Sequence, residues 1–195
     1  MKRLITAFQL LLLSCFVLQA AENLPQNDGN QLFNLASEQF NEKEYSGCFR
    51  TITTWLEESP NPAYMEVALF MQSVSSYELN RRETSVLLID FIRKYPVSYM
   101  SDKALYLLGC SAMNAGEFKD ALEFIKRCPE SSLPSADLPE YRFRYAYCAM
   151  QLADYTTSKD IFTSLAGEES RFAAAASYFK TYIDYAEGKS EEASR

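Results

Sequence analysis

The stretch Ala104-Leu105-Tyr106-Leu107-Leu108-Gly109, continued by Gly116-Glu117-Phe118, Ala121-Leu122 and Ile125, decides the fold. Apolar residues recur at spacings of three and four on both sides of the Gly116 turn signal, the period of a helix with one buried face. The stretch therefore reads as two helices joined by a tight turn. Gly109 and Ala121 are small, whereas Tyr106, Phe118 and Ile125 are large. Two antiparallel helices approach closely only where side chains are small, and large apolar neighbours fill the space above and below.

The same arrangement recurs outward in both directions. Small residues Cys48, Ser85, Ala121, Ser158 and Ala193 follow one another at intervals of 37, 36, 37 and 35. Ala36, Ser73, Gly109 and Ala146, one helix earlier, keep step at 37, 36 and 37. Three residues before the first column stand Tyr45, Arg82, Phe118 and Tyr155, and four after it Ile52, Ile89, Ile125 and Phe162. The periodicity predicts helices over 30–42, 45–58, 62–79, 82–94, 101–115, 118–127, 139–152, 155–165 and 169–187, with a further one beginning near Ser190. No stretch reads as a strand. A single helix pair cannot bury both of its faces, so the pairs are expected to stack. Pro129 to Pro139 reads as a loop within the array, because the spacing survives across it.

These residues resemble the tetratricopeptide repeat family, whose unit is a helix, a turn and a helix of about 34 residues. The best match is the stretch quoted first; Leu32 to Pro60 and Tyr141 to Leu165 also match, Tyr64 to Pro96 less closely, and Phe172 to Arg195 as a repeat cut short. Arg82 departs from the family's aromatic preference. The resemblance implies an all-α solenoid, a right-handed superhelix, over 30–195, with repeats at 30–60, 62–96, 101–129 and 139–167 and an incomplete one at 169–195. Gly188 to Ala193 repeats the spacing of Gly116 to Ala121, which leads to the expectation that the array continues. Arg93-Lys94-Tyr95-Pro96-Val97-Ser98 is similar to junctions of periplasmic repeat proteins that assist outer-membrane barrel assembly or the Tol-Pal system.

Residues 1–21 have the layout of a secretory signal peptide, with two charges in Met1 to Arg3, an apolar run from Leu4 to Leu18, and small Ala20 and Ala21. The run of 15 residues falls short of the roughly 20 that span a bilayer. Leu12-Leu13-Ser14-Cys15 resembles a loose lipoprotein signal, so lipidation at Cys15 is an alternative and the one route to membrane contact. Residues 22–29 form a polar lead. Cleavage removes Lys2 and Arg3 and no acid, leaving 17 basic and 26 acidic residues, a net charge of −9 that repels nucleic acid. Cys48, Cys110, Cys128 and Cys148 then remain, expected as buried free thiols.

The chain has no histidine, which removes the commonest general base and zinc ligand, and its six glycines are too scattered to cradle a phosphate. No enzyme activity, cofactor or metal is expected. Glu57-Glu58, Glu168-Glu169 and Glu191-Glu192 are neighbours that point about 100° apart on a helix and read as solvated surface.

The first helix of each pair carries an aromatic column of Phe33, Phe70, Tyr106, Phe143 and, in slightly shifted register, Tyr178. Further along the same face lie Val74, Cys110, Tyr147 and Tyr182, then Phe40, Tyr77, Met113, Met150 and Tyr185. The resemblance would place this stripe on the concave surface, which makes Phe33, Phe70, Val74, Tyr77, Tyr106, Met113, Phe143, Tyr147, Met150 and Tyr178 the candidate peptide-binding residues. The other reading of the same stripe is core between stacked pairs. Tyr45, Phe118 and Trp55 read as packing within the pairs. The expectation is a non-enzymatic adaptor of the bacterial periplasm that holds a protein or peptide partner of the cell envelope in an aromatic groove. Its alternatives are an outer-membrane lipoprotein assisting barrel assembly and an architectural segment of a longer envelope protein.

Overall fold

Four turns with one hydrogen-bond pattern set the architecture. Glu44, Arg81, Glu117 and Asp154 each donate a backbone N–H to the carbonyl five residues back, on Gln39, Ser76, Ala112 and Ala149, at 2.7, 3.1, 2.9 and 3.0 Å. The residue before each, Lys43, Asn80, Gly116 and Ala153, has a positive φ of 61°, 50°, 80° and 62°. This is the Schellman ending of a helix, in which a left-handed residue turns the chain back on itself. These residues recur at intervals of 37, 36 and 37, so the period seen in the small side chains is also written in the backbone.

The computed structural model describes residues 31–58 and 60–193, the last five by backbone alone. The reading of residues 1–21 as an export signal, Cys15 and the side chain of Ala193 lie outside the described residues. Nine α-helices and no strand are present among those described. They are α1 Gln31–Asn41, α2 Tyr45–Glu58, α3 Met65–Glu78, α4 Thr84–Lys94, α5 Tyr99–Asn114, α6 Phe118–Arg127, α7 Leu138–Gln151, α8 Tyr155–Ala166 and α9 Ala173–Ala193. Asn61, Ser98 and Asp154 open their segments by accepting the N–H of Ala63, Met100 and Thr157 on a side-chain oxygen. No described helix is long and apolar enough to cross a membrane.

The helices form two units, divided after Ser75 within α3. In the first, Phe33, Ala36, Cys48, Ile52, Trp55, Tyr64, Ala68 and Met71 make one buried cluster. Phe33 lies between Trp55 and Tyr64, with ring centroids 5.4 and 4.6 Å away. Trp55 is core, as its position in α2 suggests. In the second unit each helix from α4 to α9 packs against the next in sequence. Gly109 is where α5 meets α6: a Cβ there would stand 2.7 Å from Ile125 Cγ1 and 3.0 Å from the Ala121 carbonyl oxygen. Its small size is what lets these two helices touch.

Two expectations are corrected. The large column includes Ile89, yet Ile89 is 39% exposed while Leu88 beside it is fully buried. The α4 register is set one residue earlier by Thr84, whose hydroxyl is 2.9 Å from that of Ser76 and 2.8 Å from the Arg81 carbonyl oxygen. The second correction is that α9 does not break near Gly188 but runs for 21 residues to Ala193. A single glycine costs a helix only about 1 kcal/mol, so Gly188 sits within α9 without ending it.

The loop from Pro129 is tied down by chemistry the spacing did not show. Tyr141 on α7 donates its hydroxyl proton toward the carbonyl oxygens of Ile125 and Cys128, both at 3.1 Å, and so covers the end of α6. Arg142 grips Glu130 through Nε at 3.2 Å and Nη2 at 2.7 Å.

Candidate protein-binding groove

In the second unit, the end of α5, the start of α6, the middle of α7 and the first half of α9 bring together Met113, Phe118, Phe143, Tyr147 and Phe179. They line an open groove of about 350 Å³. The left-handed Gly116 reverses the chain between Met113 and Phe118 and so puts both side chains at one end. Phe143 and Tyr147 are one turn apart and share a face of α7.

The groove walls are braced ring against ring. Tyr147 meets Phe118 and Phe179 edge-on, at centroid distances of 6.0 and 5.4 Å. Phe179 stacks on buried Phe162 at 5.5 Å, and Phe143 stacks on Phe172 at 5.0 Å. Such offset and edge contacts hold rings at fixed angles. Behind them sit Ala146, Met150, Leu165, Ala176 and Ile183. The volume lies at the small end of the roughly 300–1,000 Å³ typical of ligand pockets, and the lining offers one hydroxyl and no charge. Such a lining suits apolar groups.

The ten candidate residues separate. Met113, Phe143 and Tyr147 meet in the groove. Tyr106 is 4% exposed, and Phe33, Val74 and Met150 are buried, so these four are core rings and aliphatics and not groove lining. Tyr106 packs on Tyr141 at 5.7 Å, with the Lys103 ammonium over its ring, 5.3 Å from the centroid. Phe70 is partly buried in the first unit. Tyr77 is partly buried, and Tyr178 is 66% exposed and meets Phe179 in a T-shaped contact at 5.2 Å. Phe179, not Tyr178, continues the column. The signal was present, because an interval of 36 from Phe143, one already used in this chain, lands on Phe179. Phe118 was assigned to packing within a pair, yet it is partly exposed and closes the groove.

A polar centre is built around Glu140 and Arg144 of α7, the helix that also carries Phe143 and Tyr147. Arg144 donates to Glu140 Oε1 from Nε at 3.0 Å and from Nη2 at 2.8 Å, and Arg171 pairs with the other carboxylate oxygen. Burial pushes the Glu140 carboxyl up, but the two guanidiniums outweigh it and hold the group below the ordinary carboxylate range. Tyr77, Tyr106 and Cys110 face Arg144, and burial raises all three, keeping phenols and thiol protonated. Cys128 and Cys148 are pushed up to about 11 by burial. All four described cysteines are free and buried. A protonated, enclosed thiol is a poor nucleophile. Among the described residues no group of histidine, cysteine and acidic side chains converges as a metal site.

Comparison with known proteins returned no match: no family model, no curated protein and no solved structure is significantly similar to this chain.

Proposed function

We propose that this chain is a tetratricopeptide-type repeat adaptor, not an enzyme, and that its second unit holds a partner peptide by apolar side chains set into the groove of Met113, Phe118, Phe143, Tyr147 and Phe179. The observation that carries this reading is an open, uncharged groove whose rings are braced from behind. Stiff aromatic walls offer large contact area for little lost rotamer freedom, which favours capture of a flexible segment. The four identical turns at 36 and 37 residues support the repeat assignment, with loops longer than the family's usual unit. We place the protein in the bacterial envelope on the layout of residues 1–21, so the mature chain should begin at Ala21 or Glu22, which intact mass measurement will check.

The test of the groove is selection of peptides from a displayed random library on the folded protein, followed by titration. Selected peptides should carry paired aromatic or aliphatic residues, and Met113→Glu should weaken them at least tenfold while leaving the melting temperature within about 2 °C. Peptides that bind the variant as well as the parent would place the site elsewhere.

A further inference from the structure

Over residues 174–188, helix α9 exposes a face without charge. Ala174, Ser177, Tyr178, Thr181, Tyr182, Tyr185 and Gly188 are all exposed, and they fall within one side of the helix over four turns. Tyr178, Tyr182 and Tyr185 are 66%, 50% and 61% exposed. The charged residues of the same stretch lie on another side, where Lys159 of α8 pairs with Asp184 at 2.6 Å and Glu187 at 2.9 Å, and Lys180 pairs with Asp184 at 2.7 Å. The opposite side, through Ala176 and Ile183, is fully buried in the unit's core.

Along the centre of the exposed face, Ala174, Tyr178, Thr181, Tyr185 and Gly188 follow one another at spacings of four, three, four and three, the seam of a packed helix pair. Small and large residues alternate along it. Were two such helices to pair parallel and in register, tyrosine would meet tyrosine and small would meet small, giving crowded layers between voids. Antiparallel, each large residue meets a small one. In one register Ala174 lies opposite Tyr185, Ser177 opposite Tyr182 and Tyr178 opposite Thr181, so all three tyrosines are seated at once.

We propose that this face is a self-association surface, on which two copies of the chain pair through antiparallel α9 helices in that register. The face is its own complement in size, and antiparallel packing also opposes the two helix dipoles favourably. Charge points the same way. The chain carries a net charge of −7, so two copies repel except where, as here, the contact is clear of acids. Each tyrosine leaves on the order of 100 Å² to be buried, which with the small residues gives on the order of 1,000 Å² for the pair, about the lower bound of a specific interface. The expected association is therefore weak, in the micromolar range, and strengthened by salt as the repulsion is screened.

Sedimentation equilibrium of the full chain across micromolar concentrations tests this. A reversible dimer is expected, tightened by raising salt and weakened at least a hundredfold by Thr181→Glu, which brings a carboxylate against Tyr178 in both copies. Circular dichroism of that variant should match the parent. Register is read by cysteine pairs in a Cys15→Ser background, the described native thiols being buried. Ser177→Cys mixed with Tyr182→Cys should form a disulfide-linked dimer on oxidation, and Ser177→Cys alone should not. A chain that stays monomeric throughout the concentration range, or a dimer indifferent to Thr181→Glu, overturns the proposal. So does cross-linking of Ser177→Cys with itself in preference to the mixed pair.

Discussion

Phe33 in the first unit and Phe143 in the second stand in the same sequence column, three intervals apart, yet one is closed in core and the other lines a groove. What differs is the cover. Over Phe33 lie Trp55 from the following helix and Tyr64 from the short 3-10 turn Pro62–Tyr64, the latter only 4.6 Å away, and the ring keeps 4% of its surface. Phe143 has three ring neighbours, Phe162, Phe172 and Phe179, against the two of Phe33, yet it stays partly exposed. Among the described residues, its side towards Met113 and Phe118 opens into the groove. Column position alone therefore does not decide core or site; the element that arrives next along the chain does.

The comparison yields a first, large effect. Phe33→Ala removes a ring enclosed on both faces and should cost about 3–5 kcal/mol, whereas Phe118→Ala, at the open groove, should cost no more than about 1.5 kcal/mol. Urea unfolding followed by circular dichroism reads both, and equal losses would mean that the groove is as tightly packed as the first unit's core.

Next in size is the close approach of α5 and α6. Gly109→Ala places a methyl 2.7 Å from Ile125 Cγ1 and 3.0 Å from backbone, and should destabilise by about 1–3 kcal/mol. Ala146→Gly, at the matching place in α7, should lose only about 1 kcal/mol, since it opens space rather than overfilling it.

Alkaline pH gives a graded effect. The folded pKa of Cys128 and of Cys148 is raised from 9.0 to about 11, so the folded state binds protons more tightly than the unfolded one. Their contribution is full below pH 9 and is lost as pH rises through 11, by linkage. Stability should fall over that window, and Cys128→Ala with Cys148→Ala should flatten the fall in melting temperature between the same limits. Tyr141, pushed up to about 12 by burial, prolongs the loss at still higher pH.

The smallest effect lies in the turns. Lys43, Asn80 and Ala153 hold the left-handed conformation that Gly116 adopts freely, at φ of 61°, 50° and 62°. Ala153→Gly should therefore stabilise by about 0.5–1 kcal/mol, and Gly116→Ala should destabilise by a similar amount. Thermal melts resolve both signs.

Much of the helical architecture was legible in the sequence because it rests on side-chain size at fixed intervals. Gly109, Ala121 and Ile125 could be placed against one another with no coordinates. The turns were less legible, since three of the four left-handed positions are not glycine, and nothing in Lys43 or Ala153 marks a positive φ. The α4 register was missed because Thr84 anchors it by hydrogen bonds that apolar periodicity does not record. The candidate site was legible only in part. Met113, Phe143 and Tyr147 were found by face, but burial of Tyr106 depends on Tyr141 from the next helix pair, and the choice of Phe179 over Tyr178 turned on a single residue of interval.

The measurement that bears most directly on the open groove is the methyl NMR spectrum of the methionines while a selected aromatic peptide is added. Met113 lines the groove, and Met71, 2% exposed in the core of the first unit, serves as the internal control. The account predicts that the Met113 methyl resonance shifts in proportion to bound peptide while that of Met71 stays in place. A bound peptide that leaves Met113 unmoved would contradict it.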